Sequence, residues 1–591
     1  METTQRRIIC INEACSAYNF QNQHFCHLCG FPVVKRYLWA LNSTKLTFNS
    51  GQLISQRYLC QGHNVFLDTN PRAVPESSLV LPEHILPYLN LSFISIHIPQ
   101  VFAQLLIDKD IWLLDYGTVP LDNQGKPKYE KLLPTLFELW PSASSLKQLN
   151  WLYQIAKLWQ PLKKQAVVST LLQADLLKIN GDFIQVYELC SDQSKIYDLE
   201  KLTILWRKLI DSASLSIRDF LESLCHKLED QEINTSQELV LILEDGVNQC
   251  SQHYDWSYSL YMATDVGSSR EHNEDACFPK DNTLICNDQD LLAIVCDGIG
   301  GQDAGEVASN LAIENLKTIN LSDKLSSQLK PDEIIRKAIF QANDLIVHRN
   351  NQENRTQRQR MGTTLVLALA KNYELFLAHM GDSRAYWITA TSCQRITIDD
   401  DIANRSVRLG TSLYREANQY INSGTLTQAL GISSSEHIDP TVQRQIPSED
   451  CLILLTSDGL SDYDRIEQYW PTMLTPLLEG KQKIQEVGKN LIDLANEKNG
   501  HDNTTIALIH CQVRKKPEEE SFLVFSLDES IYYENPKQIT QPLPRLAKKQ
   551  KNIYLALLGI LIALTSIVII PYLLNRTNPQ IQSSPSNEIK P

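Results

Sequence analysis

The stretch "LLAIVCDGIGGQDAGEVASN", 291–310, sets an aspartate directly after six apolar residues and follows it with Gly298, Gly300 and Gly301. A run this apolar reads as a strand buried on both faces, and a carboxylate at its end is costly to desolvate unless something positive faces it. The pattern recurs. "YELFLAHMGDSRAYWI" breaks at Gly381-Asp382, and "CLILLTSDGLSDYD" breaks at Ser457-Asp458-Gly459 and adds Asp462. "GHDNTTIALIHC" puts Asp502 and Asn503 just before an apolar run, and "ATDVGSSREHNEDACF" carries Arg270, Glu274 and Asp275 between strand-like segments. One such end is a turn; several predict a shared acidic centre, because clustered carboxylates resist joint ionisation unless cations neutralise them. Oxygen ligands without paired His or Cys suit hard ions, Mg2+ or Mn2+. Two such ions about 3.5–4 Å apart acidify a bridging water, and an arginine fork holds a phosphate dianion. Together these parts describe phosphomonoester hydrolysis, provided the strand ends converge in space.

A second cluster suits a different metal. In "CINEACSAYNFQNQHFCHLCG", Cys10 and Cys15 are separated by ten residues from Cys26 and Cys29, and Gly30 follows the second pair. Two cysteine pairs on short knuckles fit tetrahedral S4 coordination of a structural Zn2+ with no open position for catalysis. The "FCxxCG" ending resembles that of zinc ribbons.

The elements that must position these residues divide the chain. Hydrophobic residues make up 43% and charged residues 21%, enough for several packed cores. A net charge of -14 without a basic block argues against a nucleic-acid partner. "METTQRRIIC" lacks the apolar core of a secretory leader, so the scattered cysteines are expected in a reducing cytosol. Between 36 and 250 glycine is sparse, and "LKQLNWLYQIAKLWQPLKKQ" repeats apolar residues at helical spacing. One reading is a regulatory domain, α/β or mostly helical. The other is a degenerate kinase-like fold, because "AVVSTLLQADLLKINGDFIQVYEL" resembles a kinase catalytic-loop region and hairpin. Val168, Ser169 and Thr170 stand where a kinase has His-Arg-Asp, and Tyr187, Glu188 and Leu189 replace Asp-Phe-Gly. Either way the region is expected to dock a partner or sense a signal rather than transfer phosphate.

"NIYLALLGILIALTSIVIIPYLLN", 552–575, carries no charge and is long enough to cross a hydrocarbon core of about 30 Å. Arg545, Lys548, Lys549 and Lys551 precede it and only Arg576 and Lys590 follow. That asymmetry predicts a single-pass helix in the cell membrane with residues 1–551 cytoplasmic. The expected order is a zinc ribbon at 1–35, a regulatory region at 36–250, an enzyme domain at 251–515, a linker at 516–551, the membrane helix at 552–575 and a short external tail at 576–591.

The segments "SSREHNEDA", "VCDGIGGQDAGE", "RMGTTLVLALA", "HMGDSRAYWI", "LTQALG", "TSDGLSDYD" and "HDNTTIALI" resemble, in order, the motifs of metal-dependent type 2C protein Ser/Thr phosphatases of the bacterial branch. Each motif is weak alone; the ordered set, spanning about 255–513, is specific. The resemblance implies an α+β fold: an α-β-β-α sandwich of two antiparallel sheets with the metals at one end. It implies that Asp297 bridges two core metals with the Gly298 carbonyl as a further ligand, and that Asp458 and Asp502 complete the core. By the same resemblance Glu274 and Asp275 support it, Asp382 and Asp462 join Asp458 at a more labile third metal, and Arg270 clamps the phosphate. Some members place a histidine after the Asp-Gly pair; here it is Ile299, and His501 is a substitute of unsettled role. Asp399, Asp400 and Asp401 are expected in a solvated loop or helix start beneath a flap. The implied activity is hydrolysis of phosphoserine and phosphothreonine on proteins by a dimetal-bound hydroxide. A non-catalytic phosphoprotein-binding scaffold and a phosphatase of a small metabolite are the alternatives.

Overall fold

Apolar runs of alternating partner faces build two antiparallel sheets. In this computed structural model, which describes residues 7–42, 47–75, 81–105, 111–193, 195–300, 304–319, 330–517 and 521–525, the first sheet runs in the order Leu284–Asp288, Tyr254–Asp265, Thr504–Lys515, Cys451–Thr456, Arg384–Ile388, Cys393–Arg395. The second runs Ala276–Phe278, Asp290–Cys296, Leu365–Lys371, Glu374–Met380, Thr441–Gln445. Successive residues of a strand face opposite ways, and here both faces are covered. Ile294 and Cys296 pack outward with Leu367 and Phe376 beneath helices Ala304–Leu316 and Pro331–Gln352. Ala293 and Val295, also 0% exposed, take the opposite face. In the first sheet Tyr386, Leu452, Leu454 and Leu508 pack under helices Arg465–Met473 and Ile484–Lys498, leaving Ile453, Leu455 and Ile509 inward. This is the expected α-β-β-α sandwich.

Register brings the acidic strand ends to one edge. Arg384 pairs with Thr456, Thr456 with Ile506, and Asp265 with Thr504, so Asp458 and Asp502 leave the first sheet at the same end. In the second sheet Leu365 pairs with Met380, and Asp297 O accepts from Thr364 N at 2.8 Å. Asp297 and Asp382 therefore share the corresponding end.

The region before the sandwich is only half helical. Strands Tyr37–Asn42, Leu53–Ile54, Tyr58–Gly62, Val65–Asp68, Gln100–Gln104 and Ile111–Asp115 form a six-stranded sheet of antiparallel pairs, which a mostly helical reading of 36–250 misses. The helical pattern holds from Ser145–Lys164 onward, where Ser144 Oγ accepts from Lys147 N at 3.3 Å as the N-cap. The hairpin expected in 166–189 is Leu177–Asn180 with Phe183–Val186. Helix Ser145–Lys164 is no loose appendage: Asn150 Nδ2 donates to Ile446 O at 3.1 Å, Lys147 pairs with Glu449 at 2.7 Å, and Arg444 binds Glu244, Glu374 and Tyr153. Residues up to Phe525 accordingly form one compact unit. The predicted membrane helix 552–575, the tail 576–591 and nearly all of the linker 516–551 lie outside the described residues. Among the described residues no helix is long and apolar enough to cross a membrane.

Candidate active site

Strand ends deliver most of the acidic residues, and hydroxyls and amides hold the backbone around them. Asp297 follows Asp290–Cys296, and its own N–H donates to Thr364 Oγ1 at 2.9 Å while Thr363 Oγ1 donates to its carbonyl at 2.8 Å. Asp458 opens the short helix Asp458–Ser461. Ser457 Oγ, just before it, donates to Asp275 Oδ2 at 2.8 Å and accepts from Thr505 N at 2.9 Å, tying three segments together. Asn503 Oδ1 accepts from Glu274 N at 2.8 Å, and Asn503 Nδ2 donates to the carbonyls of Val266 and His272. Thr364, Ser457 and Asn503 are supporting groups to which the sequence assigned no role: Thr364 and Asn503 hold the backbone of Asp297 and Glu274, and Ser457 holds the Asp275 carboxylate.

Backbone closeness explains two glycines. A Cβ on Gly298 would meet Gly305 C at 2.4 Å and Glu274 O at 2.5 Å, and one on Gly459 would meet Asn503 O at 2.0 Å. Only glycine lets these chains pass at such distances.

The electrostatics identify a shared centre. Burial, then the charges of Asp458, Asp275, Asp382 and Asp502, push Asp297 well above the usual carboxylate range. Burial with Asp382, Asp462, Asp502 and Asp275 does the same to Asp458. Asp275 is pushed up to about 6 and Asp382 to about 7, burial leading in both. Asp462 is also raised by burial, although Arg384 and His501 pull it down. Asp458 Oδ1 and Asp275 Oδ1 are buried without a hydrogen-bond partner among the described residues. Mutually repelling carboxylates with orphaned oxygens are what a divalent-cation site looks like before charge is supplied. The donor set fits Mg2+ or Mn2+.

One expectation changes, for the acidic run, while Arg270 sits at the edge of the site: Nη2 donates to Asp502 Oδ2 at 2.6 Å and Nε to His501 O at 3.3 Å, with the side chain 45% exposed. Asp399, Asp400 and Asp401 are not solvated; all three are buried. Asp399 takes Arg384 on both oxygens, at 2.8–3.2 Å. Asp400 accepts from Gly381 N at 3.1 Å, and Asp401 caps helix Ile402–Arg408 through Asn404 N. They brace the site rather than line it. His501 lies 3.5 Å from Asp462, and Ile299 is half-buried in a short bridge to Gly362.

At the N-terminus the four thiols converge. Sulfurs held about 2.3 Å from one centre in a tetrahedron stand about 3.8 Å apart. Cys10 and Cys29 are 3.5 Å apart, Cys15 and Cys26 3.8 Å, and all four lie within 4.8 Å of one another. Against burial, the amides of Cys29 and Leu28 hold the Cys26 thiol down to about 6, which favours a metal-ligating thiolate.

Residues 259–504 match the family model Protein phosphatase 2C. The Serine/threonine phosphatase stp of Listeria welshimeri is 30% identical over 262 residues, 44% of this chain and 98% of that protein. The Protein phosphatase PhpP of Streptococcus pneumoniae is 27% identical over 251 residues, 42% of this chain and 96% of its own. The solved Mycobacterium tuberculosis serine/threonine phosphatase PstP/Ppp is 28% identical over 43% of this chain and 98% of that one, with a TM-score of 0.36. The family model spans the strands that carry the acidic ends, and the Listeria relative is matched over nearly its whole length, so this chain belongs to the protein phosphatase 2C family.

Proposed function

We propose that this chain is a metal-dependent phosphatase that removes phosphate from phosphoserine and phosphothreonine of proteins. The observation that carries the reading is geometric: strand register brings the ends carrying Asp297, Asp382, Asp458 and Asp502 to one edge of the sandwich, and Ser457 ties Asp275 to the same place; the mutual upward push on Asp297 and Asp458 agrees with it. Asp297, the Gly298 carbonyl, Asp458 and Asp502 would hold the core pair of Mn2+ or Mg2+, Glu274 and Asp275 would support it, and Asp382 and Asp462 would serve a third ion with Asp458. When bound, such ions neutralise the cluster and make a water nucleophilic near neutral pH. The chain's own residues do the rest. Thr364 holds the backbone of Asp297, Ser457 holds the Asp275 carboxylate, and Arg270, at the exposed rim beside Asp502, can turn its fork to a phosphate dianion. Ile299 offers the leaving alkoxide no proton, which leaves His501 as the imidazole within reach of the acidic rim. The names of the Listeria and Streptococcus relatives support a protein substrate.

The test is Mn2+-dependent release of phosphate from a phosphoserine protein and from an aryl phosphate. Arg270→Ala is expected to raise KM for both about tenfold, with kcat less affected. Hydrolysis of the aryl phosphate alone would point to a small-metabolite substrate, and no metal-dependent turnover to a scaffold.

We further propose that Cys10, Cys15, Cys26 and Cys29 hold a structural Zn2+, and that the uncharged run 552–575 anchors residues 1–551 on the cytoplasmic side of a membrane. Metal analysis of the purified chain should find one zinc that Cys26→Ser removes. The full chain should sediment with membranes, and a chain ending at residue 550 should not. External protease that digested the catalytic part of intact cells would refute the topology.

A further inference from the structure

The turn that presents Asp462 adopts backbone that its own residues disfavour. Tyr463 and Asp464 both lie in the left-handed region, at φ 59° and 57°. Neither is glycine, and two such residues in succession, also present in the turns at Ser55–Gln56 and His63–Asn64, cost backbone energy that contacts around the turn offset. Those contacts lead out of the sandwich on both flanks. On one, the Asp464 carboxylate stands 3.3 Å from Arg415 Nη2, and the Arg415 guanidinium lies 5.7 Å from the centroid of Phe102. Phe102 sits on strand Gln100–Gln104 of the N-terminal sheet and is 1% exposed. Arg36 and Arg57 lie over the same ring at 5.2 and 5.6 Å. Asp68 binds Arg57 through two 2.8 Å bonds, and Asp115 stands 3.3 Å from Arg36. Asp464 thus supplies the third carboxylate to a cluster of three arginines around one phenyl ring.

The Arg415–Asp464 pair is part-exposed, at 28% and 39%, so its attraction alone holds little. The buried ring is what fixes the guanidinium. On the other flank Arg465 lies 5.7 Å from the centroid of Phe31, two residues after Cys29, and donates to Asn499 Oδ1 at 3.0 Å. Asn499 Nδ2 in turn donates to Gly459 O at 2.9 Å, beside Asp458.

We infer that Phe102 and Phe31, acting through Arg415 and Arg465, are positioning residues for Asp462, so that the N-terminal sheet and the cysteine loop set the working geometry of the acidic centre. This rests on reading that centre as a phosphatase site. It gives the region before the sandwich a role in the reaction itself.

The test uses the full chain carrying Arg415→Met, Arg465→Met, both, or Arg415→Lys. Three quantities are measured: aryl phosphate turnover across Mn2+ concentrations, amide hydrogen exchange of 459–466 without added metal, and the unfolding midpoint. Outer groups that orient metal ligands typically change metal affinity by about 10–100-fold. The double variant should therefore need about tenfold more Mn2+ for half-maximal turnover, exchange faster at 459–466, and keep its KM and unfolding midpoint. Arg415→Lys, which keeps the charge but not the planar stack, should fall between Arg415→Met and wild type. Wild-type Mn2+ dependence and exchange in the double variant would overturn the inference, as would a loss of turnover that merely follows a lowered unfolding midpoint. A wild-type chain whose metal-dependent turnover is absent, or survives Asp297→Asn, would overturn the phosphatase reading and this inference with it.

Discussion

Asp297→Asn is expected to stabilise the metal-free chain and to cost at least about a thousandfold in kcat/KM with Mn2+. The two effects have one cause. Asp297 is raised by burial and by four neighbouring carboxylates, Asp458, Asp275, Asp382 and Asp502. Without cations, ionising it is unfavourable, and the amide removes that charge while keeping the shape. At pH 8 in EDTA the variant should unfold at a higher urea concentration than wild type. At pH 5 the difference should shrink, because the wild-type carboxyl already holds its proton there.

The same reasoning fixes the sign of the metal-free pH profile. Asp275 is raised to about 6 and Asp382 to about 7, whereas unfolded carboxyls titrate near about 4. The folded chain therefore binds more protons than the unfolded chain between those values, and its stability falls as pH rises from about 4 to about 7. Each group contributes at most about 1.4 kcal/mol per pH unit. Saturating Mn2+ should flatten the profile, since the cation replaces the protons. Urea midpoints in EDTA and in Mn2+, across pH, check both statements. A metal-free Asp297→Asn chain less stable than wild type at pH 8 would mean that the carboxylates do not share a centre.

Asp399→Ala should be the most destabilising single change in the sandwich, at about 3–5 kcal/mol. The Asp399 and Arg384 side chains are 3% and 11% exposed and joined by a fork. Burial alone would raise Asp399, but Arg384 and Arg395 hold it below the ordinary value. Removing the carboxylate leaves a buried guanidinium whose Nη1 also holds Ser461 O at 2.7 Å, so activity should fall with stability. The Arg384→Met, Asp399→Leu double variant removes the forked pair and takes only the 3.6 Å Asp399 contact from Arg395, so it should recover part of the loss. Its urea midpoint, set against that of Asp399→Ala, separates the cost of the orphaned charge from that of the lost packing.

What could be read in the sequence was what local order encodes. Apolar runs ending in Asp297, Asp382 and Asp458 are strands ending at those residues, because strand burial and strand termination are written in consecutive side chains. The cysteine spacing likewise foretold four sulfurs gathered within 4.8 Å of one another. Long-range pairing decided the remainder. "IDDD" resembles a solvated acidic loop, and only the fold brings Arg384 and the Gly381 amide onto Asp399 and Asp400 and buries all of them. That Arg270 meets Asp502, distant in the chain, is likewise decided by the fold. The sheet over 37–115, hidden between short strands without clear alternation, sets Phe102 against Arg415. A charge's partner lies 15 residues away for Asp399 and 232 for Arg270, a strand's neighbour lies across a register, and no local pattern carries either. The sequence by itself determined which groups could do the chemistry; the tertiary structure decided which of them are neutralised, which are strained, and what holds them in place.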